Sequence, residues 1–294
     1  MGVLLALLKY LARSDQRSGV KCLPMQNPSL PSHPIGVFDS GVGGLTVVRA
    51  LMDRLPFENI IYFGDTARVP YGVKSVDTIA HFTQEIAQFL QNQQVKMLII
   101  ACNTMAAVAA DLVRANSNVP VLDVIEAGAR NAVEVSWTGG IGVIGTPATI
   151  NSNAYARAIH QLNPSYRVYS QACPLFVPLV EEGWLDHPVT KLTAQEYLKP
   201  VFVEKIDTLV LGCTHYPLIK PLLLDLVGGR MKLVDSALSI ADQAADLLQS
   251  SGMANPSHLA PEYRFYVTDV PVKFQSVGER FLGRSLNKIE RVNL

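Results

Sequence analysis

From residue 35 onward the chain alternates short apolar runs with longer segments of helical periodicity. Runs rich in Val, Ile and Leu occupy 35–39, 60–65, 97–102, 121–125, 141–146, 167–173, 208–213, 232–235 and 263–268, and all but 121–125 end in small or polar residues. Such runs predict strands. Their nearly continuous apolar character predicts strands buried on both faces. The intervening segments 45–55, 76–90, 105–114, 150–162, 194–203, 218–226 and 240–248 predict helices. In the second of these, Ser75 reads as the N-cap, and Ile79, Phe82, Ile86, Phe89 and Leu90 recur near the helical repeat. Strands alternating with helices predict an α/β fold, with mostly parallel sheets covered by helices on both faces.

An internal echo organises this pattern. Ile35 to Ser40 resembles Ile141 to Thr146 at an offset of 106 residues, and Leu98 to Thr104 resembles Leu209 to His215 at an offset of 111. A strand followed by a small residue is common in α/β proteins. Two echoes in the same order, each including a polar residue at a strand end, predict two similar doubly wound domains related by pseudo-symmetry. Each would carry one cysteine.

Residues 1–34 follow a different pattern. The apolar stretch from Val3 to Leu8 is cut by Lys9 and followed by Arg13 and Arg17. A secretory signal places its charge before the apolar stretch and a small-residue cleavage site after it, and neither is evident here. Prolines at 24, 28, 31 and 34 predict a poorly ordered, extended linker. The alternative is that translation begins at Met25.

Composition narrows the function classes. A chain of 294 residues suggests two domains of ordinary size. A formal net charge of zero gives no electrostatic footprint for nucleic acid or an anionic membrane. The charged fraction of 17% with 49% apolar residues argues against disorder. No apolar run reaches the roughly 18–20 residues that a membrane span needs. The four cysteines, Cys22, Cys102, Cys173 and Cys213, are scattered and form no CxxC pair. That usage predicts reduced thiols in a cytoplasmic protein and no structural zinc. Zinc held by Cys213 and His215 would need two or three more ligands, and no other Cys/His cluster supplies them.

The candidate chemistry lies in Cys102 and Cys213. Each falls at the predicted C-terminal end of a strand, just before a helix, where open α/β sheets bind ligands. A helix N-terminus there favours a thiolate. The polar residues that follow, Asn103 and Thr104 in one case and Thr214 and His215 in the other, can donate hydrogen bonds to a carboxylate. The bland alternative is two small buried hydrophobes. As a pair facing one ligand, the thiols suit proton removal from one face of a tetrahedral carbon and proton return to the other. Cys22 and Cys173 read as structural or incidental. The loop Gly41-Val42-Gly43-Gly44 lacks the Lys of a P-loop and is a weak nucleotide signal. It is either a carboxylate site of backbone N–H groups or a tight turn that needs glycine for packing. Pro70-Tyr71-Gly72 reads as a turn or as cleft lining. Asp39 orients a ligand or a cysteine, or caps a helix. His215 assists Cys213 or binds substrate, or is an ordinary histidine.

Several runs together resemble one family. They are Phe-Asp-Ser-Gly-Val-Gly-Gly-Leu-Thr at 38–46, Gly-Asp-Thr-Ala at 64–67, Pro-Tyr-Gly at 70–72, Ala-Cys-Asn-Thr at 101–104, the run at 174–183, and Gly-Cys-Thr-His-Tyr-Pro-Leu at 212–218. From about residue 35 to the end, the chain resembles the cofactor-independent aspartate/glutamate racemase superfamily, and within it the branch acting on glutamate. The resemblance implies interconversion of L- and D-glutamate without pyridoxal phosphate, metal or nucleotide, supplying D-glutamate for peptidoglycan. It implies that Cys102 and Cys213 are the acid/base residues, assisted by Asp39, Glu181 and His215, with the adjacent Glu182 as the alternative to Glu181. Asp39, Ser40, Tyr71, Gly72, Asn103, Thr104, Thr149, Thr214 and His215 fall on substrate-contacting positions. The implied first domain comprises 35–125 plus 236–294 and the second 126–235, with the site in the cleft between them. A homodimer is the implied assembly, and no nucleic-acid or membrane partner is. Rival readings are an aspartate or other racemase of the same superfamily, and a two-lobed protein that binds an amino acid without reacting.

Overall fold

The computed structural model describes residues 29–270 and 274–294. Residues 1–28, with Cys22, Met25 and most of the expected extension, lie outside the described residues. Residues 29–34, the described remainder of that extension, are held just before the second strand: Asn59 Nδ2 donates to the Ser32 carbonyl at 3.0 Å, and Ile35 opens the first strand.

Among the described residues, ten strands form two parallel sheets. They are β1 (Ile35–Asp39), β2 (Ile60–Gly64), β3 (Met97–Ile100), β4 (Val121–Asp123), β5 (Gly140–Gly145), β6 (Arg167–Ala172), β7 (Thr208–Gly212), β8 (Lys232–Asp235), β9 (Tyr263–Val267) and β10 (Ile289–Arg291). The first sheet runs β10-β9-β2-β1-β3-β4 and the second β6-β5-β7-β8. Every pairing is parallel, and β1, β2, β3, β5 and β7 are buried along their whole length, as apolar runs covered on both faces require.

The echo is now visible as topology. The order β2-β1-β3-β4 in one sheet is repeated as β6-β5-β7-β8 in the other. β1 therefore corresponds to β5, and β3 to β7. In each sheet the chain winds one way from the central strand, then crosses to its other side. The resulting switch points lie between β1 and β3 and between β5 and β7, where ligands bind in such sheets.

Five segments depart from the sequence reading. The strand expected over 121–125 ends at Asp123, and Val124–Val135 is a helix. Asp123 Oδ1 accepts from the Ile125 and Glu126 N–H groups at 2.8 and 3.0 Å, so the cap overrides the local β-branched composition. The single helix expected over 150–162 is two, Pro147–Asn151 and Ala154–Leu162, separated at Asn153 by a left-handed φ of 56°. Helices Phe176–Glu181 and Phe274–Leu282 and the short edge strand β10 were not expected. Helix Ser236–Ser250 packs against both helix Val124–Val135 and helix Leu45–Arg54, and so ties the two sheets together. Among the described residues no helix is long and apolar enough to cross a membrane.

Candidate active site

Cys102 follows β3 and takes the N-cap position of helix Asn103–Ala115. Cys213 follows β7 and precedes the 3-10 turn Tyr216–Ile219. Both thiols sit at switch points and both line one cavity of about 440 Å³. Each residue is only 6% exposed. The wall from the first sheet includes Ser40, Tyr71, Gly72, Asn103 and Thr104; that from the second includes Thr146, Glu181, Thr214 and His215. Asp39 and Thr149 are buried outside this lining: Asp39 behind the wall beside Cys102, and Thr149 behind Thr146, whose Oγ1 lies 3.0 Å from its own.

The two thiols have different partners. Cys102 Sγ lies 3.4 Å from Ser40 Oγ, its S–H donating. Burial, with the Asp39 carboxylate adding to it, pushes the Cys102 thiol up to about 12. The Ser40 hydroxyl and the Met105 and Ser40 N–H groups pull the other way and would serve a thiolate there. Asp39 Oδ2 accepts the Gly41 N–H at 3.0 Å, while its Oδ1 is buried with no hydrogen-bond partner among the described residues. Burial raises the Asp39 carboxyl above its ordinary value, against the pull of His215.

On the other side Cys213 Sγ lies 3.9 Å from His215 Nδ1, and His215 Nε2 donates to Glu181 Oε1 at 2.9 Å. Burial opposes the imidazolium, but the hydrogen bonds to Cys213 and Glu181 outweigh it and raise His215 to about 10. Glu181, and not its neighbour Glu182, makes this contact. His215 also meets the edge of Phe281, with ring centroids 5.0 Å apart.

Between the thiols the wall offers donors. Asn103 Oδ1 accepts the Tyr155 hydroxyl at 2.7 Å, which leaves Asn103 Nδ2 buried with no partner among the described residues. An unpaired buried donor on a cavity wall is a built position for an acceptor such as a carboxylate oxygen. Thr104 Oγ1 lies 3.0 Å from Thr146 Oγ1, so the two sheets touch across the cavity floor. Tyr71 turns its hydroxyl away from the cavity onto Asp65, a buried carboxylate that also accepts from Arg68 at 2.7 Å and Thr268 at 2.8 Å. The Pro70-Tyr71-Gly72 turn is thus both a turn and cleft lining.

The glycine loop serves close approach. A Cβ on Gly43 would lie 2.2 Å from Thr214 Oγ1 and 2.6 Å from the His215 ring. Thr46 Oγ1, just beyond the loop, donates to the Thr214 carbonyl at 3.2 Å. The first sheet therefore presses its backbone directly on the residues after Cys213. Cys173 is fully buried away from the cavity, and burial raises its thiol. Among the described residues no three His, Cys, Asp or Glu side chains come together as metal ligands.

Val69, Val73, Thr146 and Pro147 line the cavity without having been named as site residues from the sequence, and Pro174, Val177 and Pro178 join them from the 174–183 run, which carried the resemblance but no role for these three. For Thr146 the signal was present. It is the residue after β5 as Ser40 is the residue after β1, the same place in the echo.

Residues 43–244 match the sequence model of the Asp/Glu/hydantoin racemase family. A glutamate racemase of Syntrophus aciditrophicus is 69% identical over 92% of this chain and all of its own. The crystal structure of glutamate racemase from Francisella tularensis in complex with D-glutamate is 49% identical, with a TM-score of 0.85 over 90% of this chain and 98% of that one. That of Thermus thermophilus, in complex with beta-chloro-D-alanine, is 42% identical, with a TM-score of 0.82 over the same shares. With both thiols at matching strand ends of two repeated sheets, and with relatives this similar along nearly their full length, the chain belongs to the Asp/Glu/hydantoin racemase family.

Proposed function

We propose that this protein interconverts L- and D-glutamate by two-base proton transfer between Cys102 and Cys213, with no cofactor, and supplies D-glutamate for peptidoglycan. The observation that carries the reading is that two thiols from equivalent strand ends line one cavity. The similarity to glutamate racemases supports the choice of substrate.

One sulfur, as thiolate, takes the α-proton: its S–H bond forms as the Cα–H bond breaks. The opposite thiol gives its proton to the other face of the carbanion, and the centre inverts. Enantiomers are equal in free energy, so the site must run both ways and each thiol must serve as acid and as base. Cys102, held up to about 12, is a neutral thiol at neutral pH, the form that donates. Cys213 faces His215, which keeps its proton to about pH 10 and offers the sulfur a charged donor. In the reverse direction Ser40 and the Met105 N–H receive the Cys102 thiolate.

A positioned base contributes roughly 10²–10⁴-fold, too little alone for so weak an acid as an amino-acid α-carbon. The rest falls to donors aimed at the substrate carboxylate, where charge accumulates in the carbanion. Asn103 Nδ2, Thr104, Thr214 and Ser40 are placed for this, with Tyr71 and Gly72 closing the wall and Thr149 supporting it from behind. Asp39 and the His215–Glu181 couple assist the thiol on their own side.

We divide the chain into a first domain of 35–125 plus 236–294 and a second of 126–235, with the cavity between them. Free Cys102, Cys173 and Cys213 suit a reducing cytoplasm, and a homodimer is the assembly the family resemblance implies.

Proton NMR of L-glutamate in D₂O with the purified protein tests the reading, with polarimetry alongside. Loss of the α-proton signal and decay of optical rotation to zero, with nothing added, is the expected result. Exchange with aspartate instead would move the substrate within the family. Saturable glutamate binding with no exchange would overturn the reading in favour of a binding protein.

A further inference from the structure

The Cys213 half of the site is braced from outside its own sheet. Helix Phe274–Leu282 follows β9 of the first sheet, yet it meets the residues that flank Cys213 in the second. Arg280 Nη1 donates to the carbonyl oxygens of Val180 and Glu181 at 3.2 and 3.3 Å. These close the last turn of helix Phe176–Glu181, the helix that presents Glu181 to His215. Gly183, at φ +81°, turns the chain away there, and a Cβ on it would come within 2.9 Å of the Arg280 guanidinium. The next residue, Phe281, is 1% exposed and sets its ring edge-on to His215 at 76°. One turn of one helix thus grips the Glu181 backbone and the His215 ring together. Cys102 is flanked instead by Asp39 and Ser40, the last residue of β1 in the first sheet and the one after it.

We propose that Arg280, backed by Phe281, is a positioning residue for proton transfer at Cys213: it fixes the Glu181–His215 couple against that sulfur and leaves the Cys102 half untouched. The proposal rests on the two-thiol reading above. Arg280 is exposed, so truncating it opens no cavity in a core. The guanidinium fork is what two adjacent carbonyls require, and a lysine ammonium retains the donor without the planar fit.

Ordinary rates cannot separate the two halves, because equal free energies of the enantiomers force kcat/KM to be the same in both directions for any variant. Isotope effects can. In 2-deuterated glutamate of one hand the label is in flight at Cys213; in the other hand it is in flight at Cys102. Slowing the Cys213 step makes it more rate-limiting, so one isotope effect on kcat/KM rises while the other falls toward unity. For Arg280→Ala we expect kcat/KM to fall about tenfold, with the isotope effects moving in opposite directions and Arg280→Lys recovering most of the loss. A merely structural role would lower both rates with the two isotope effects unchanged or moving together.

A substrate-free measurement runs beside it. Iodoacetamide is reacted with the native protein, and peptide masses resolve the alkylation rates of Cys213 and Cys102. Arg280→Ala should change the ratio of these rates about threefold or more, with Cys102 as the internal reference. Arg280→Gln serves if the alanine variant does not fold. An unmoved ratio together with unmoved isotope effects, in a chain that racemises glutamate, overturns the positioning role alone. A ratio that responds in a chain whose wild type does not racemise glutamate overturns the racemase reading and leaves the positioning role standing.

Discussion

Glu181 Oε1 accepts from His215 Nε2 at 2.9 Å, so a half-exposed carboxylate anchors a nearly buried imidazole. Burial alone would lower His215; the bonds to Cys213 and Glu181 raise it to about 10. The folded state therefore binds this proton more tightly than the unfolded chain, where histidine titrates near 6.5. The stabilisation is complete below about pH 6.5 and is lost as pH rises through about 10. Urea unfolding of wild type and His215→Asn should differ most at pH 6, and the difference should shrink between pH 7 and 10. A difference that grows with pH would refute the assignment.

Serine at either thiol position keeps the shape and removes the acid/base group. Cys102→Ser and Cys213→Ser should each reduce racemisation by at least about 10²–10⁴-fold, since a hydroxyl is a far weaker acid than a thiol. One-way α-proton exchange can survive in each, because each variant keeps the base for one face. Glu181→Gln keeps a hydrogen-bonding side chain beside His215 and should slow turnover less than either cysteine change. Steady-state polarimetry with both enantiomers checks all three; normal racemisation in both serine variants would end the two-base mechanism.

Asn103 presents its amide nitrogen, unpaired among the described residues, to the cavity while Tyr155 occupies its oxygen at 2.7 Å. Asn103→Ala removes the donor and should raise KM for glutamate about tenfold or more, the worth of a hydrogen bond to a charged group. Tyr155→Phe leaves the amide in place and loosens only its orientation, so its effect should be several-fold smaller. Equal effects from the two would mean that Asn103 serves packing and not the substrate.

Much of this was legible in the chain. Apolar runs marked nine of the ten strands among the described residues, most plainly β1, β2, β3, β5 and β7, which are covered on both faces and cannot hide their composition. The paired echoes located both switch points, since a repeated βα unit carries its cysteine to the same strand end. Three features were not read there. Val124 and Ile125 look like strand, and the Asp123 side chain, accepting the Ile125 and Glu126 N–H groups, caps the helix that takes them up. β10 is three residues long and owes its strand character to pairing with β9, whereas helix Phe274–Leu282 carries helical spacing at Phe274, Val277, Phe281 and Leu282 that went unread. Arg280 and Phe281 reach the site from some 65 residues beyond Cys213, a meeting no local pattern announces.

Gly43 offers a test of whether the contact between the two sheets matters to the chemistry or only to stability. A Cβ there would lie 2.2 Å from Thr214 Oγ1 and 2.6 Å from the His215 ring. Gly43→Ala must push Thr214 and His215 away, an overpacking that costs about 1–3 kcal/mol. Gly228 supplies the control: its φ is +55° and a Cβ would meet nothing within 4 Å. Gly228→Ala costs about 1–2 kcal/mol through backbone strain alone, far from the cavity. Thermal unfolding should show drops of similar size, on the order of 2–4 °C per kcal/mol. Racemisation should separate them. Gly43→Ala displaces the residues that face Cys213 and should lose at least about tenfold in kcat, whereas Gly228→Ala should keep wild-type turnover. If the two variants lose activity in proportion to stability alone, the close approach at Gly43 is a packing device and the site tolerates its loss.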